Sequence, residues 1–121
     1  MSKLAVIVTS SPLNNLTVTA INIILHALEQ GVEVVGVFFY QDGVLNANTS
    51  IQIPIDEFQT LAAWQELHHK HDLALHLCIT AGEKRGLVCE GSDLNIDQAF
   101  CVSGLGELVE LTAKADRVVQ L

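Results

Sequence analysis

The sequence predicts an α/β fold, a three-layer sandwich in which helices cover both faces of a five-stranded parallel sheet. Short apolar runs that suit buried strands alternate with stretches whose apolar residues follow helical spacing. Alternation of this kind is typical of parallel sheets joined by right-handed crossovers. The length of 121 residues suits one domain, which we expect to cover residues 1–121.

Each predicted element depends on a local signal. The predicted strands are apolar runs at residues 4–8, 32–40, 73–78, 99–102 and 116–121. The predicted helices repeat apolar residues every three or four positions, over residues 18–28, 56–71, 80–85 and 104–111. Their predicted caps are Asn14, Asn15 or Thr17 and then Gly31 for the first helix, Thr80 for the third and Ser103 for the fourth. Residues 44–54 and 87–97 show no clear period and are predicted to be irregular.

The stretch from Leu73 to Gly86 joins a buried strand to a short helix and places Cys78 at the junction. Thr80 and Glu83 have the spacing of a capping box at the start of that helix. Unpaired N–H groups and the positive end of the helix dipole favour an anion there, so Cys78 is predicted to be a reactive, solvent-reachable thiolate. The alternative is an apolar core cysteine, since cysteine is among the most buried residue types.

The expected strand order is 2-1-3-4-5, as in flavodoxin-like and other Rossmann-like sheets. In that order the strand that ends at Cys78 lies beside the loop after the first strand, residues 9–12. Sheets of this class place their sites outside the carboxyl ends of the strands, where the strand order reverses. The segment 9–15 holds neither glycine nor lysine, so a P-loop or a dinucleotide fingerprint is absent.

Composition argues against several classes of function. The formal charge is −8, from 14 acidic and 6 basic residues, with no Lys/Arg cluster to bind a phosphate backbone, so we expect no direct nucleic-acid binding. We also expect no membrane contact, because no apolar run approaches the roughly 20 residues of a membrane span. The three cysteines match no zinc spacing and the start lacks the features of a secretory signal, which predicts a cytoplasmic protein.

Histidines and the remaining cysteines are weaker candidates. His68 and His71 are a possible metal pair at i, i+3, although cations near a helix C-terminus explain them more simply. His76 points to the same strand face as the candidate thiol, but it lies too far down the strand to be an obvious base. Cys89 is predicted to be a loop thiol and Cys101 a packing residue.

Four segments of the sequence together resemble the DsrE-like sulfur-relay family, over nearly the whole chain. They are FFYQDGVLNAN at 38–48, the Cys78 region through Gly86, SGLGEL at 103–108 and DRVVQL at 116–121. Four ordered segments are far more specific than one short motif.

The resemblance implies a function that composition and periodicity do not reveal. In such proteins the cysteine that matches Cys78 accepts a sulfane sulfur as a persulfide and passes it to the next protein. The chain is then expected to be a sulfurtransferase subunit in the 2-thiolation of tRNA wobble uridine, within a heterohexamer that contains TusB-like and TusC-like subunits. Sulfur arrives from a TusA-like donor and leaves to a TusE-like acceptor, and no metal or organic cofactor is required.

Two groups of residues are expected to support a persulfide on Cys78. Backbone N–H groups stabilise its negative charge, at Thr80, Ala81 and Gly82. A loop after the second strand shields it from solvent and stray thiols, through Tyr40, Asp42, Gly43, Asn46 and Asn48. Three alternatives stay open: a DsrE-type subunit of sulfur oxidation, a structural subunit that carries no sulfur, and a flavodoxin-type module that binds a small molecule.

Overall fold

The strands of the main sheet alternate with helices along the chain as the sequence predicts, in a computed structural model that describes residues 2–89, 92–93 and 95–121. In chain order the strands are β1 (Lys3–Val8), β2 (Glu33–Phe39), β3 (Leu75–Cys78), β4 (Val88–Cys89), β5 (Ser92–Asp93), β6 (Phe100–Ser103) and β7 (Arg117–Gln120). The helices are α1 (Asn15–Glu29), α2 (Thr60–His71), α3 (Ile79–Lys84) and α4 (Leu105–Lys114), and a 3₁₀ helix covers Gln41–Ala47. A parallel sheet contains β1, β2, β3, β6 and β7, which confirms the α/β prediction.

The order of the strands differs from the prediction. The sheet runs β6-β3-β2-β1-β7, which is 4-3-2-1-5 in the numbering of the predicted strands, so the order 2-1-3-4-5 is wrong. Hydrophobic runs identify strands but carry no information on which strands become neighbours. The chain steps from β1 through β2 and β3 to β6, and α4 then leads back to place β7 beside β1. As a result Cys78 lies between the ends of β2 and β6, away from residues 9–12.

Helices pack on both faces of the sheet, which confirms the three layers. On one face the ring of Phe39 meets Trp64 of α2 edge-on, with 4.9 Å between ring centroids, and Phe100 of β6 at 5.1 Å. Gly36 lies three positions before Phe39 on β2 and therefore faces the other side. There a Cβ on Gly36 would come within 2.8 Å of Cδ2 of Leu111 in α4, so the absent side chain lets α4 approach the sheet.

The first helix begins and ends at predicted signals. Asn14 is the N-cap of α1, and its Oδ1 accepts a hydrogen bond from the Leu16 N–H at 2.8 Å. Gly31 follows the helix with a φ of +79°, a conformation that glycine adopts without steric cost. Both signals are local, which is why sequence alone reveals them.

The other helix starts differ from the prediction. α2 begins at Thr60 rather than at residue 56, and Gly104 rather than Ser103 is the N-cap of α4. The predicted irregular stretch 87–97 contains the antiparallel pair of β4 and β5, so that prediction is wrong for these strands. The same stretch includes Glu90, Gly91 and Leu94, which lie outside the described residues. Across the described residues, every helix is too short or too polar to span a bilayer.

Candidate functional site

Cys78 lies at the predicted junction, as the last residue of β3 and the N-cap of α3. Thr80 is therefore not the N-cap, because the observed cap lies two residues before the predicted one. Cys78 is only 1% exposed, so the prediction of a solvent-reachable thiol is wrong for this conformation. The next two side chains, Ile79 and Thr80, are exposed, which places Cys78 directly beneath the surface.

Backbone N–H groups lie at the start of α3, next to Cys78. In an α-helix the first three residues after the N-cap have N–H groups without an intrahelical acceptor. In α3 these residues are Ile79, Thr80 and Ala81. The N–H of Gly82 occupies the position that bonds to the Cys78 carbonyl in a regular helix. The Cys78 side chain accepts no capping hydrogen bond in this structure, so a charged sulfur would have to turn toward the N–H groups of residues 79–81. Ile79 is not among the predicted residues because the helix starts earlier than expected.

Gly82 allows α3 to pack closely against its neighbours. A Cβ on Gly82 would lie 3.2 Å from Cγ2 of Val88 and 3.3 Å from Cδ2 of Leu77, closer than most real contacts. The missing side chain therefore lets α3 lie close to β3 and β4. It sets the position of the helix start rather than contributing a group to it.

The predicted shielding loop is a 3₁₀ helix, Gln41–Ala47, with Tyr40 as its N-cap and Asn48 as its C-cap. It packs against α3 and β3, so the structure does bring this segment beside the Cys78 junction. The Tyr40 N–H donates to the Val8 carbonyl at 2.9 Å, and Oδ1 of Asn48 accepts from the Ser50 N–H at 2.8 Å. These bonds fix the two ends of the segment.

Gly43 and Asn46 anchor the 3₁₀ helix to the rest of the protein. A Cβ on Gly43 would collide with the carbonyl oxygen of Val8, so only glycine fits there. The buried Asn46 amide donates to the carbonyls of Ser10 at 3.0 Å and Gly43 at 2.8 Å, and its Oδ1 accepts from Trp64 Nε1 at 3.0 Å. The side-chain amide of Asn46 thus joins the loop after β1, the 3₁₀ helix and α2.

An ion pair joins the 3₁₀ helix to α3. Arg85 places Nη2 at 3.0 Å and Nε at 3.1 Å from Oδ1 of Asp42, and its Nη1 donates to the Ala81 carbonyl at 3.1 Å. The Asp42 side chain is 65% exposed, so solvent screens the attraction. This contact escapes prediction from sequence because its partners are 43 positions apart.

A polar cluster lies on the α4 side of β3 and β6. Nδ1 of His76 is 3.2 Å from Oγ of Ser103, and Nε2 is 3.2 Å from Oε1 of Glu107 in α4. In the β3–β6 register His76 pairs with Cys101, and Cys78 pairs with Ser103. Cys101 is exposed, so its prediction as a packing residue is wrong. The hydroxyl of Ser103 bonds to His76 rather than capping α4.

The other histidine and cysteine candidates lie elsewhere. Nδ1 of His68 is 2.9 Å from the Leu73 carbonyl, which fixes the end of α2 to the start of β3. Cys89 is an exposed thiol in β4. Within residues 2–89, 92–93 and 95–121, His, Cys, Asp and Glu side chains form no group of three or more that suits a metal ion.

Comparison with known proteins gives a family for this architecture. Residues 2–121 match the DsrE/DsrF-like family. Sulfurtransferase TusD of Klebsiella pneumoniae subsp. pneumoniae is 41% identical over 100 residues, which cover 77% of this chain and 78% of the relative. Sulfurtransferase TusD of Salmonella newport is 40% identical over 103 residues, with coverage of 78% and 80%. The crystal structure of the YchN protein from E. coli matches with a TM-score of 0.83 over 100% of both chains; at 20% identity it shows the fold alone.

Proposed function

Because the chain belongs to the DsrE/DsrF-like family, we propose that it is a sulfurtransferase of the TusD type that carries sulfane sulfur as a persulfide on Cys78. Its role as a relay protein in tRNA thiolation is supported by identities of 41% and 40% to proteins named sulfurtransferase TusD. The observation that carries the assignment to Cys78 is its position at the junction of β3 and α3, where the strand ends and unpaired N–H groups begin.

The chemistry is a sulfur transfer between thiols. The Cys78 thiolate attacks the outer sulfur of a donor persulfide, a new S–S bond forms on Cys78, and the bond inside the donor breaks. The electron pair of the broken bond leaves with the donor's inner sulfur as a thiolate, so no oxidant or reductant is needed. The N–H groups at residues 79–81 favour the anionic persulfide that results.

The burial of Cys78 suits a carrier that must protect its sulfur from stray thiols, and it also requires an opening step. The two segments beside the junction are α3 and the 3₁₀ helix, which the Arg85–Asp42 pair joins. An exposed pair of this kind contributes about 0–1 kcal/mol, so separating the two segments costs little at this contact. We therefore propose that Cys78 becomes accessible when Arg85 and Asp42 separate.

The proposal includes the setting of the relay. One DsrE/TusD-like domain over residues 1–121 assembles with TusB-like and TusC-like subunits, receives sulfur from a TusA-like donor and delivers it to a TusE-like acceptor. The formal charge of −8 suits a basic protein surface as partner. Three free cysteines fit the reducing conditions of the cytoplasm.

The test follows sulfur from a persulfidated donor through the full chain to an acceptor protein, with each cysteine peptide analysed by mass spectrometry. Cys78→Ser is expected to stop delivery to the acceptor. Cys89→Ser is the matched control, because it removes an exposed thiol in β4 and is expected to deliver at the wild-type rate. Delivery by Cys78→Ser at the wild-type rate would instead support the structural-subunit alternative and overturn the proposal.

A further inference from the structure

Two thiols of different exposure lie on the same face of the sheet. Cys78 is 1% exposed, whereas Cys101 on the neighbouring strand β6 is exposed. Side chains two positions apart on a strand share a face, so His76 and Cys78 lie on one side of β3, with Cys101 and Ser103 beside them on β6. The four side chains mark the corners of a rectangle, and the two thiols occupy one diagonal.

The other diagonal of the rectangle is a hydrogen bond that points to acid–base chemistry. His76 and Ser103 are joined at 3.2 Å, and Glu107 binds the second ring nitrogen of His76 at 3.2 Å. The His76 side chain is 13% exposed and that of Glu107 is 30% exposed, so water reaches the pair mainly from the Glu107 side. A carboxylate that orients an imidazole and stabilises its protonated form is the arrangement that activates nucleophiles in many enzymes.

Ser103 connects this pair to the exposed thiol. Its Oγ lies 3.9 Å from Sγ of Cys101 and 3.4 Å from the Cys101 carbonyl. The Cys101 thiol also donates a long hydrogen bond to the Val102 carbonyl, at 3.9 Å from Sγ. When the thiol loses its proton, the Ser103 hydroxyl can donate to the sulfur while protonated His76 donates to Ser103.

We propose that Cys101 is a surface acceptor, which takes a sulfane sulfur from a persulfide outside the protein and passes it to Cys78. Ser103 and His76 form its proton relay, and Glu107 orients His76. The inference builds on the proposed carrier role of Cys78 and supplies what that role lacks, namely a thiol on the same face that the donor can reach.

Both steps balance without an oxidant. In the first, the proton of Cys101 moves through Ser103 to His76, the thiolate attacks the outer sulfur of the donor persulfide, and the donor leaves as a thiolate that takes the proton. In the second, the Cys78 thiolate attacks the outer sulfur of the Cys101 persulfide. The S–S bond to Cys101 breaks, and Cys101 leaves as a thiolate that takes up the proton lost by Cys78.

The register of β3 and β6 sets the spacing between the two cysteines. Neighbouring strands are about 4.8 Å apart and two residues along a strand span about 6.6 Å, so the diagonal between the Cα atoms is about 8 Å. Side chains on one face project in the same direction, so direct transfer requires the two Sγ atoms to turn toward each other along the diagonal. The persulfide bond adds about 2 Å of reach to that movement.

The test is a time course of sulfur loading on the full chain, with cysteine persulfide as the donor and site-resolved mass spectrometry as the readout. In the wild type, sulfur is expected on Cys101 before it reaches Cys78. Cys101→Ser should slow the loading of Cys78 by about tenfold or more, whereas Cys89→Ser, which removes the other exposed thiol, should leave it unchanged. Cys78→Ser should hold the sulfur on Cys101.

The relay is tested by alkylation of the two exposed thiols in the same molecule. Cys101 is expected to react roughly tenfold faster than Cys89, and His76→Gln or Ser103→Ala should remove that preference, while Ser103→Thr restores it. Labelling of the buried Cys78 reports any loss of folding in the variants. Loading of Cys78 at an unchanged rate in Cys101→Ser overturns this inference alone, whereas the carrier proposal fails only if Cys78 itself is dispensable for delivery.

Discussion

Gly43 has no room for a side chain. We expect Gly43→Ala to destabilise the protein by about 2 kcal/mol or more, because the added Cβ meets the backbone carbonyl of Val8, which cannot move without breaking β1. Urea denaturation followed by circular dichroism measures the loss. Gly106→Ala is the matched control: no atom lies within 4 Å of its added Cβ, and alanine favours α4. It should leave stability unchanged or raise it by up to about 1 kcal/mol, and equal losses in both variants would contradict the steric argument.

Asn46 is the second residue whose replacement affects the whole site. Asn46→Ala leaves the buried Trp64 Nε1 without its partner and removes one of the two hydrogen bonds to the Ser10 carbonyl, which keeps the bond from Thr17 Oγ1; the loss should cost about 2–4 kcal/mol. Trp64 is the single tryptophan, so its fluorescence reports both the local change and global unfolding in urea. Asn48→Ala removes one turn hydrogen bond at a half-exposed position and should cost less than about 1 kcal/mol. A similar small loss in Asn46→Ala would show that the amide does not anchor the 3₁₀ helix.

Between elements, the proposed opening step predicts that the contact of α3 with the 3₁₀ helix controls access to Cys78. Arg85→Met should change stability by less than about 1 kcal/mol, since an exposed ion pair contributes little, yet it should increase the reaction rate of Cys78 with a thiol reagent severalfold. Site-resolved mass spectrometry separates Cys78 from the two exposed thiols. High salt should have the same effect on the wild type, because it screens the pair.

Lys84→Met is the matched control for this contact. It removes the same charge from the same helix, and within the described part of the chain Lys84 forms no salt bridge. Its Cys78 should react at the wild-type rate. If Cys78 reacts at the same rate in Arg85→Met and in Lys84→Met, separation of Arg85 from Asp42 does not control access to Cys78.

Elements with local signals could be predicted from sequence, and contacts between distant elements could not. The junction at Cys78 could be predicted because an apolar run is followed directly by a helix start. The cap at Asn14 could be predicted because it bonds within its own turn. The pair of His76 with Ser103 spans 27 positions and exists only because β3 and β6 are neighbours. Local periodicity does not show that β3 and β6 are neighbours, so neither the cluster around His76 nor the exposure of Cys101 could be predicted from sequence.

At the scale of the whole molecule, the strand order makes β2 the centre of the sheet. β2 pairs with β1 along one side and with β3 along the other, whereas the predicted order would have left it at an edge. A central strand has both rows of backbone groups paired and both faces covered, as the full burial of Val37, Phe38 and Phe39 illustrates. Its hydrogen bonds are therefore expected to open only when the whole domain unfolds.

Amide hydrogen exchange tests this order in the native protein. The amides of Val37, Phe38 and Phe39 should exchange most slowly, at the rate set by global unfolding, because no local opening frees them. The amides of β7 should exchange faster, since β7 pairs only with β1 among the described strands and most of its side chains are exposed. Mild urea should raise the amide exchange rates of β2 more than those of β7, because exchange at the edge strand needs only local fraying, which exposes little surface. If β2 exchanges as fast as β7, then β2 lies at an edge, and the position of Cys78 between β2 and β6 would have to be abandoned together with the relay that depends on it.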